Sequence, residues 1–215
     1  MDGNNRWSKK NRKNPYDAYS SGAKKLLTLS SYIFQNYEIN YISAFALSKK
    51  NLKRSSPIIG ALRKVFEYFL NQQNNLLNRS FQISFKGDFS FLDKKSIKKI
   101  YSLESNNPKS KKKLIIYINY SGKDDIIKSC NDYLHIHPNK KITDTIIKNN
   151  LYSKEIPDPD ILIRTGGYQR ISDFMLFNIS FTELFFLDKL WPDFNYSDLR
   201  KCINKFNLIE RKFGS

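Results

Sequence analysis

Short, mainly apolar runs alternate along this chain with longer stretches in which apolar residues return every third or fourth position. The first pattern fits buried strands and the second amphipathic helices. Ile39 to Leu47 reads as a strand, because Ile42, Ala44, Phe45, Ala46 and Leu47 form a largely apolar run. Pro57 to Leu77 carries Ile58, Ile59, Leu62, Val65, Phe66, Phe69 and Leu70 at helical spacing. Phe81 to Phe85 reads as a strand closed by the turn Gly87-Asp88. Ser96 to Ser105 reads as a helix, Leu114 to Asn119 as a strand and Lys123 to Tyr133 as a helix. Thr143 is placed to cap a short helix ending near Asn149-Asn150. A strand from Asp160 to Arg164, a helix from Ser172, a strand from Leu184 to Leu187 and a last helix from Ser197 to Phe213 complete the series.

Strands separated by helices imply an α/β fold with a mostly parallel central sheet flanked by helices on both faces. A chain of 215 residues is long enough to bury one good core. Residues 1–215 are therefore expected to form a single domain, with no internal repeat and no long linker. Ligands of such sheets bind at the carboxyl ends of the strands. Ser48 and Arg164 each fall at or just after a strand end, so both are expected on one rim.

The sequence has no apolar run long enough to span a bilayer and no secretory signal pattern, which makes a cytoplasmic protein the expectation. Cys130 and Cys202 are isolated thiols without metal-ligand spacing, as suits a reducing compartment. The net charge of +17 raises nucleic-acid binding as a class. Lysine, however, outnumbers arginine 28 to 9, and the lysines are scattered rather than gathered in one patch. Abundant Lys, Asn and Ile together are what an AT-rich coding sequence favours. No nucleic-acid partner is expected; the charge suits diphosphates and a peripheral contact with anionic lipid headgroups.

The richest chemistry lies between Asp160 and Ser172. An apolar run ends on Arg164, turns through Gly166-Gly167, reaches Arg170 and then Ile171-Ser172. Two guanidinium forks can hold a phosphate bidentately, glycines let backbone N–H groups approach it, and a helix start at Ser172 adds favourable partial charge. The plain alternative is a strand–turn–helix junction in which Ser172 is only a helix cap. At the other end stands Asp2-Gly3-Asn4-Asn5-Arg6-Trp7. Asp2 is a hard oxygen ligand suited to Mg2+, Gly3 permits close approach, Arg6 is a phosphate donor and Trp7 can wall off an apolar substrate. Alone, this segment reads as a turn.

Taken together the motifs carry a resemblance. Asp2-Gly3-Asn4-x-Arg6-Trp7, Ser48-x-x-Asn51-x-x-Arg54, Ile163-Arg164-Thr165-Gly166-Gly167 through Arg170-Ile171-Ser172, Glu183-Leu184-Phe185-Phe186 and Leu190-Trp191-Pro192-Asp193-Phe194 occur in that order. The chain resembles, over nearly its whole length, a cis-prenyltransferase of the undecaprenyl diphosphate synthase type. The resemblance implies a transferase that condenses isopentenyl diphosphate onto an allylic diphosphate such as farnesyl diphosphate, with cis geometry. The implied product is a polyprenyl diphosphate, undecaprenyl diphosphate first, serving as lipid carrier for bacterial wall glycans.

The resemblance also assigns roles. Asp2 matches the essential aspartate tied to Mg2+ and diphosphate departure. Gly3, Asn4, Asn5 and Arg6 match contacts to the allylic diphosphate, and Trp7 its packing wall. Ser48, Asn51 and Arg54 match the central motif, where Asn51 would assist proton removal by position or relay, since an amide is a poor base. Arg164, Arg170, Ile171 and Ser172 match the isopentenyl diphosphate clamp. Glu183 matches a second acidic residue reaching the metal, contributed across a homodimer whose interface lies between Glu183 and Phe194. Without the resemblance Glu183 reads as a surface carboxylate.

Departures fall mostly on the allylic side. Pro15 and Tyr19 stand where the family usually has arginine and histidine, Lys50 where a glutamate is usual, and Leu52 where an aromatic is usual. Tyr168 replaces a frequent glutamate. The family also places an apolar strand ahead of the Asp-Gly-Asn motif, so a strand upstream of Met1 is expected. His135-x-His137 lacks accompanying ligands and is not a metal motif. Two other classes compete: a non-catalytic partner subunit, which would be expected to lose the motif aspartate, and a basic nucleic-acid-binding domain, which would need basic and aromatic residues interleaved on one face.

Overall fold

The computed structural model describes residues 1–53, 56–71 and 80–212. Two helices come first, α1 (Asn4–Lys10) and α2 (Pro15–Asn36), in a region where the apolar pattern marks no element. The start of α2 has a local cause. Asn14 accepts a hydrogen bond from the Asp17 amide, and Pro15 sits at the first helical position, where its missing N–H is no loss.

Strands and helices then alternate as expected: β1 (Tyr41–Phe45), α3 (Ser56–Asn71), β2 (Gln82–Gly87), α4 (Lys94–Ser105), β3 (Lys113–Ile118), α5 (Gly122–Ile136) and α6 (Asp144–Asn150). Thr143 caps α6 through the Ile146 amide. The expected end of the third helix near Leu77 lies outside the described residues. β4 (Ile161–Arg164), β5 (Glu183–Phe186) and α7 (Tyr196–Phe206) follow.

All three strand pairings within sheets are parallel. β3 lies between β1 and β2, and β4 pairs with β5 as a second sheet. The α/β fold with a parallel sheet flanked by helices is as expected, its strands grouped among the described residues as three and two. β3 is buried along nearly its whole length, and its alternation separates two layers. Leu114, Ile116 and Ile118 face a core built with Leu26, Phe34, Phe69 and Ile100. Ile115 and Tyr117 face the other way, onto Tyr120, Met175, Phe174 and Tyr152. α5 enters that second layer through Asp125, whose carboxylate accepts a 3.1 Å bond from the Tyr152 amide. Burial pushes the Asp125 carboxyl above its ordinary range, against the pull of that amide.

Two expectations fail. No helix begins at Ser172; residues 172–178 form turns and bends, with Ser172, Asp173 and Met175 all at positive φ. The cause is tertiary: Asp173 accepts hydrogen bonds from the Ser121 hydroxyl at 2.6 Å and the Lys123 amide at 3.1 Å, pinning the loop to the start of α5. The last helix ends at Phe206, not Phe213. Trp191 and Phe194, expected at a subunit interface, are buried in this chain's own core, stacked with ring centroids 5.6 Å apart.

Candidate active site

β4 ends on Arg164, and the chain then turns through Thr165-Gly166-Gly167 alongside the first residues of the chain. The two segments are stitched together by backbone and side chain. The Asp2 amide donates to Thr165 Oγ1 at 3.0 Å, and Thr165 Oγ1 lies 3.0 Å from the Asp2 carbonyl oxygen. That carbonyl also accepts from the Trp191 amide at 2.9 Å. Thr165 is buried and is a residue that sequence reasoning did not single out; its only signal was its place inside the arginine–glycine turn.

Gly3 has φ 104° and begins α1; a Cβ there would fall 2.7 Å from the Leu190 side chain. What reads in sequence as a plain turn is therefore a turn leading into a helix. Gly166 has φ 94°, and a Cβ on it would meet Arg6 Nη2 at 2.6 Å. Only glycine leaves room for that guanidinium, which donates to the Gly166 carbonyl at 2.7 Å.

Arg164 is the hub. Its Nη2 donates to Asp2 Oδ2 at 2.8 Å, and its Nη1 donates to Ser172 Oγ at 2.7 Å and to the Arg170 carbonyl. Arg6 Nη2 lies 3.7 Å from the other Asp2 oxygen. Arg164 Nε is buried and has no acceptor among the described residues. A buried charged donor without an acceptor is costly unless an anion can reach it. Asp2, Gly3, Arg6, Arg164, Arg170 and Ser172 thus lie together on one rim, with half-buried Ile171 between the last two in sequence. Ser172 acts there through its hydroxyl and positive-φ backbone, not as a helix cap.

Next to this charged rim lies an apolar cavity of about 340 Å³. Met1 and Asn4, on either side of Asp2-Gly3, line it together with Ala46 and Leu47, which directly precede Ser48. Phe66, Phe69 and Trp191 complete its apolar wall. Ser48 pairs with Tyr120 in an isolated parallel bridge just beyond β1, so the central motif starts at the carboxyl end of the sheet. Asn51 follows in a 3-10 turn (Lys49–Lys53), its amide donating to the Ser48 carbonyl at 2.8 Å. Arg54 lies outside the described residues.

A family model described as "Putative undecaprenyl diphosphate synthase" matches residues 1–214. The chain belongs to the cis-prenyltransferase family. Two curated relatives agree. The chain is 34% identical over 218 residues to "Isoprenyl transferase" of Rickettsia prowazekii, covering 100% of this chain and 95% of the relative. It is 32% identical over 224 residues to "Dehydrodolichyl diphosphate synthase 4" of Arabidopsis thaliana, covering 100% and 77%. The crystal structure of lavandulyl diphosphate synthase from Lavandula x intermedia, in complex with dimethylallyl diphosphate, superposes with a TM-score of 0.88 at 27% identity, covering 100% of this chain and 95% of that one. This protein is a prenyltransferase, an enzyme that condenses isoprenyl units.

Other residues of this cis-prenyltransferase sit less centrally. Trp7 is tethered by its indole N–H to Asp193 at 2.7 Å, while Trp191 lines the cavity. The Asn5 carbonyl accepts from the Ser8 hydroxyl at 2.9 Å, within the first turn of α1. Tyr19 also lines the cavity, and Pro15 opens α2. Glu183 stands at the opposite end of β5, paired with Ile161, while Arg164 pairs with Phe186. Three residues of strand put Glu183 roughly 10 Å from the Arg164 end of the sheet within one chain. Arg211 closes that far end by bonding Asp160 at 2.5 Å and the Phe181 carbonyl at 3.1 Å. No helix among the described residues is long and apolar enough to cross a membrane.

Proposed function

We propose that the enzyme extends an allylic diphosphate, farnesyl diphosphate first, with isopentenyl diphosphate to make undecaprenyl diphosphate for bacterial wall glycans. One observation carries the reading: an arginine rim and an apolar cavity share the segment Met1 to Asn4. A diphosphate with a hydrocarbon tail needs both surfaces side by side.

In this reading the allylic C–O bond breaks and its electron pair leaves with the diphosphate. The alkene of isopentenyl diphosphate forms the new C–C bond at that carbon and loses a proton, leaving a cis double bond. Gly3, Asn4, Asn5 and Arg6 hold the allylic diphosphate, and Asn4 reaches the cavity where the hydrocarbon lies. Arg164, Arg170, Ile171 and Ser172 hold isopentenyl diphosphate, orienting it as a near-attack partner. Ser48 and Asn51 border the carboxyl end of β1, where Asn51 orients the departing proton, and Arg54 completes the substrate-binding motif.

The donors suit Mg2+ at Asp2. Asp2 offers two carboxylate oxygens from a partly exposed position, and the described residues contain no group of three or more acid, histidine or cysteine ligands. Such a carboxylate can hold a hard cation that prefers oxygen donors. When bound, Mg2+ supplies positive charge to the departing diphosphate. Glu183 joins it from a partner subunit, given its distance from Asp2 within one chain.

Residues 1–215 act as one catalytic domain in a homodimer. Phe181 and Leu184 are 55% and 43% exposed, and β5 pairs only with β4 among the described residues, leaving an apolar strand edge for a second copy. The enzyme works in the cytoplasm, with peripheral membrane contact through its positive surface.

The test is incorporation of labelled isopentenyl diphosphate onto farnesyl diphosphate with Mg2+, with products sized by chromatography. A C55 cis product supports the reading. Short products would reassign the product class, and no incorporation would favour a binding subunit.

A further inference from the structure

Tyr168 stands inside the arginine–glycine turn, and three cations converge on its ring. The Arg170 guanidinium carbon lies 4.0 Å from the ring centroid, that of Arg6 at 4.8 Å and that of Arg164 at 5.7 Å. All three are within the range in which a ring's negative face attracts a guanidinium. Asp2 serves only two of them, bonding Arg164 at 2.8 Å and lying 3.7 Å from Arg6. Among the described residues Arg170 has no carboxylate partner, so Tyr168 is the group that draws it toward the other two.

We infer that Tyr168 is the positioning residue of the diphosphate clamp: its ring gathers three guanidiniums without neutralising them. The inference rests on the clamp reading given above and deepens it. Like charges packed on one rim repel, and something must offset that before an anion arrives. A carboxylate in this place would offset it by ion pairing, but an incoming diphosphate would then have to displace that carboxylate. A neutral ring holds the cations through its quadrupole and leaves their N–H donors for phosphate oxygens. Tyr168 is 41% exposed, so its placement owes little to core packing.

The experiment is titration calorimetry of the full chain with inorganic pyrophosphate, comparing wild type with Tyr168→Phe, Tyr168→Leu and Tyr168→Glu. Phenylalanine keeps the ring and should bind within about twofold of wild type. Leucine keeps apolar bulk but loses the face, and affinity should fall about tenfold. Glutamate should bind at least as weakly as leucine, because it competes with the ligand. In turnover, Tyr168→Leu should raise the KM for isopentenyl diphosphate with kcat little changed, a split that loss of folded protein does not produce. Wild-type affinity in the leucine variant would overturn the role of the ring, as would a phenylalanine variant as weak as leucine. Should the leucine protein not fold, the phenylalanine–glutamate pair decides the matter: equal affinities overturn the inference. A wild-type chain that binds no pyrophosphate rejects the clamp itself, which is a separate result.

Discussion

Nη2 of Arg164 donates to Oδ2 of Asp2 across 2.8 Å, joining the end of β4 to the second residue of the chain. The pair puts the proposed metal ligand and the proposed phosphate clamp in direct contact. It also separates what a mutation of Asp2 does to chemistry from what it does to folding.

Asp2→Ala keeps the amide bond to Thr165 and the carbonyl bond from Trp191, because both use backbone atoms of Asp2. The thermal midpoint should therefore fall less than in Arg164→Ala, which loses the bonds to Ser172 and the Arg170 carbonyl as well. Turnover should fall below about a tenth of the wild-type rate, since charge at a departing diphosphate is worth several kcal/mol of barrier. A variant retaining more than that removes Asp2 from the chemistry.

Arg164 and Arg170 should behave differently although both belong to the proposed clamp. Arg164→Ala deletes bonds to Asp2, Ser172 and the Arg170 carbonyl, so it should lower the melting temperature and raise the KM for isopentenyl diphosphate together. Arg170 is exposed, and Arg170→Ala should raise KM roughly tenfold with an unchanged melt, the loss of one charge-assisted contact. Steady-state kinetics paired with calorimetry separate the two patterns.

Asp173 is a support for Ser172. It ties the positive-φ loop to the Ser121 hydroxyl and the Lys123 amide. Asp173→Ala should cost about 1–2 kcal/mol in denaturant unfolding and raise the isopentenyl diphosphate KM. Asp173→Asn keeps an acceptor for the Lys123 amide and a polar partner for Ser121, and should recover most of both losses.

Burial raises the Asp125 carboxyl in the folded protein above its unfolded value, so the folded state binds its proton more readily. The ionised carboxylate therefore weakens the fold at neutral pH; the handicap fades as pH falls through the raised folded value and is gone below the unfolded value of about 4. Asp125→Asn retains an acceptor for the Tyr152 amide and should melt higher than wild type at pH 7, with the gap closing toward about pH 3.5. A gap that widens on acidification reverses the assignment.

Light scattering at micromolar concentration should give the mass of a dimer. Leu184→Lys places a charge on the exposed β5 edge and should yield monomers with reduced turnover, because Glu183 beside it is proposed to serve the partner's metal. A wild-type monomer with full activity rejects the shared site.

The strands were legible in the sequence because each is an apolar run too short to be anything else, and all five appear within a few residues of the expected limits. The arginine–glycine turn was legible as a turn because two glycines follow a short apolar strand. α2 escaped notice since its buried face uses Ala18, Gly22 and Ser30 among the leucines, which blurs the apolar stripe. The missing helix at Ser172 was unreadable for another reason. Local propensity permits a cap there, and tertiary contacts from Ser121, Gly122, Lys123 and Arg164 hold the loop in its left-handed conformation. Thr165 and Tyr168 were hidden likewise, because their value lies in partners more than 150 residues away or in several cations at once.

The bond between Asp2 and Thr165 spans 163 positions of sequence. Closing a loop of that length carries an entropic cost that no nearby contact can offset early in folding. The segment at residues 2–7 cannot take its final shape until residues 164–191 exist and have packed. Catalytic competence should consequently appear as a late kinetic phase of refolding, after the three-stranded sheet has formed, and together with the last fluorescence change of Trp7 and Trp191.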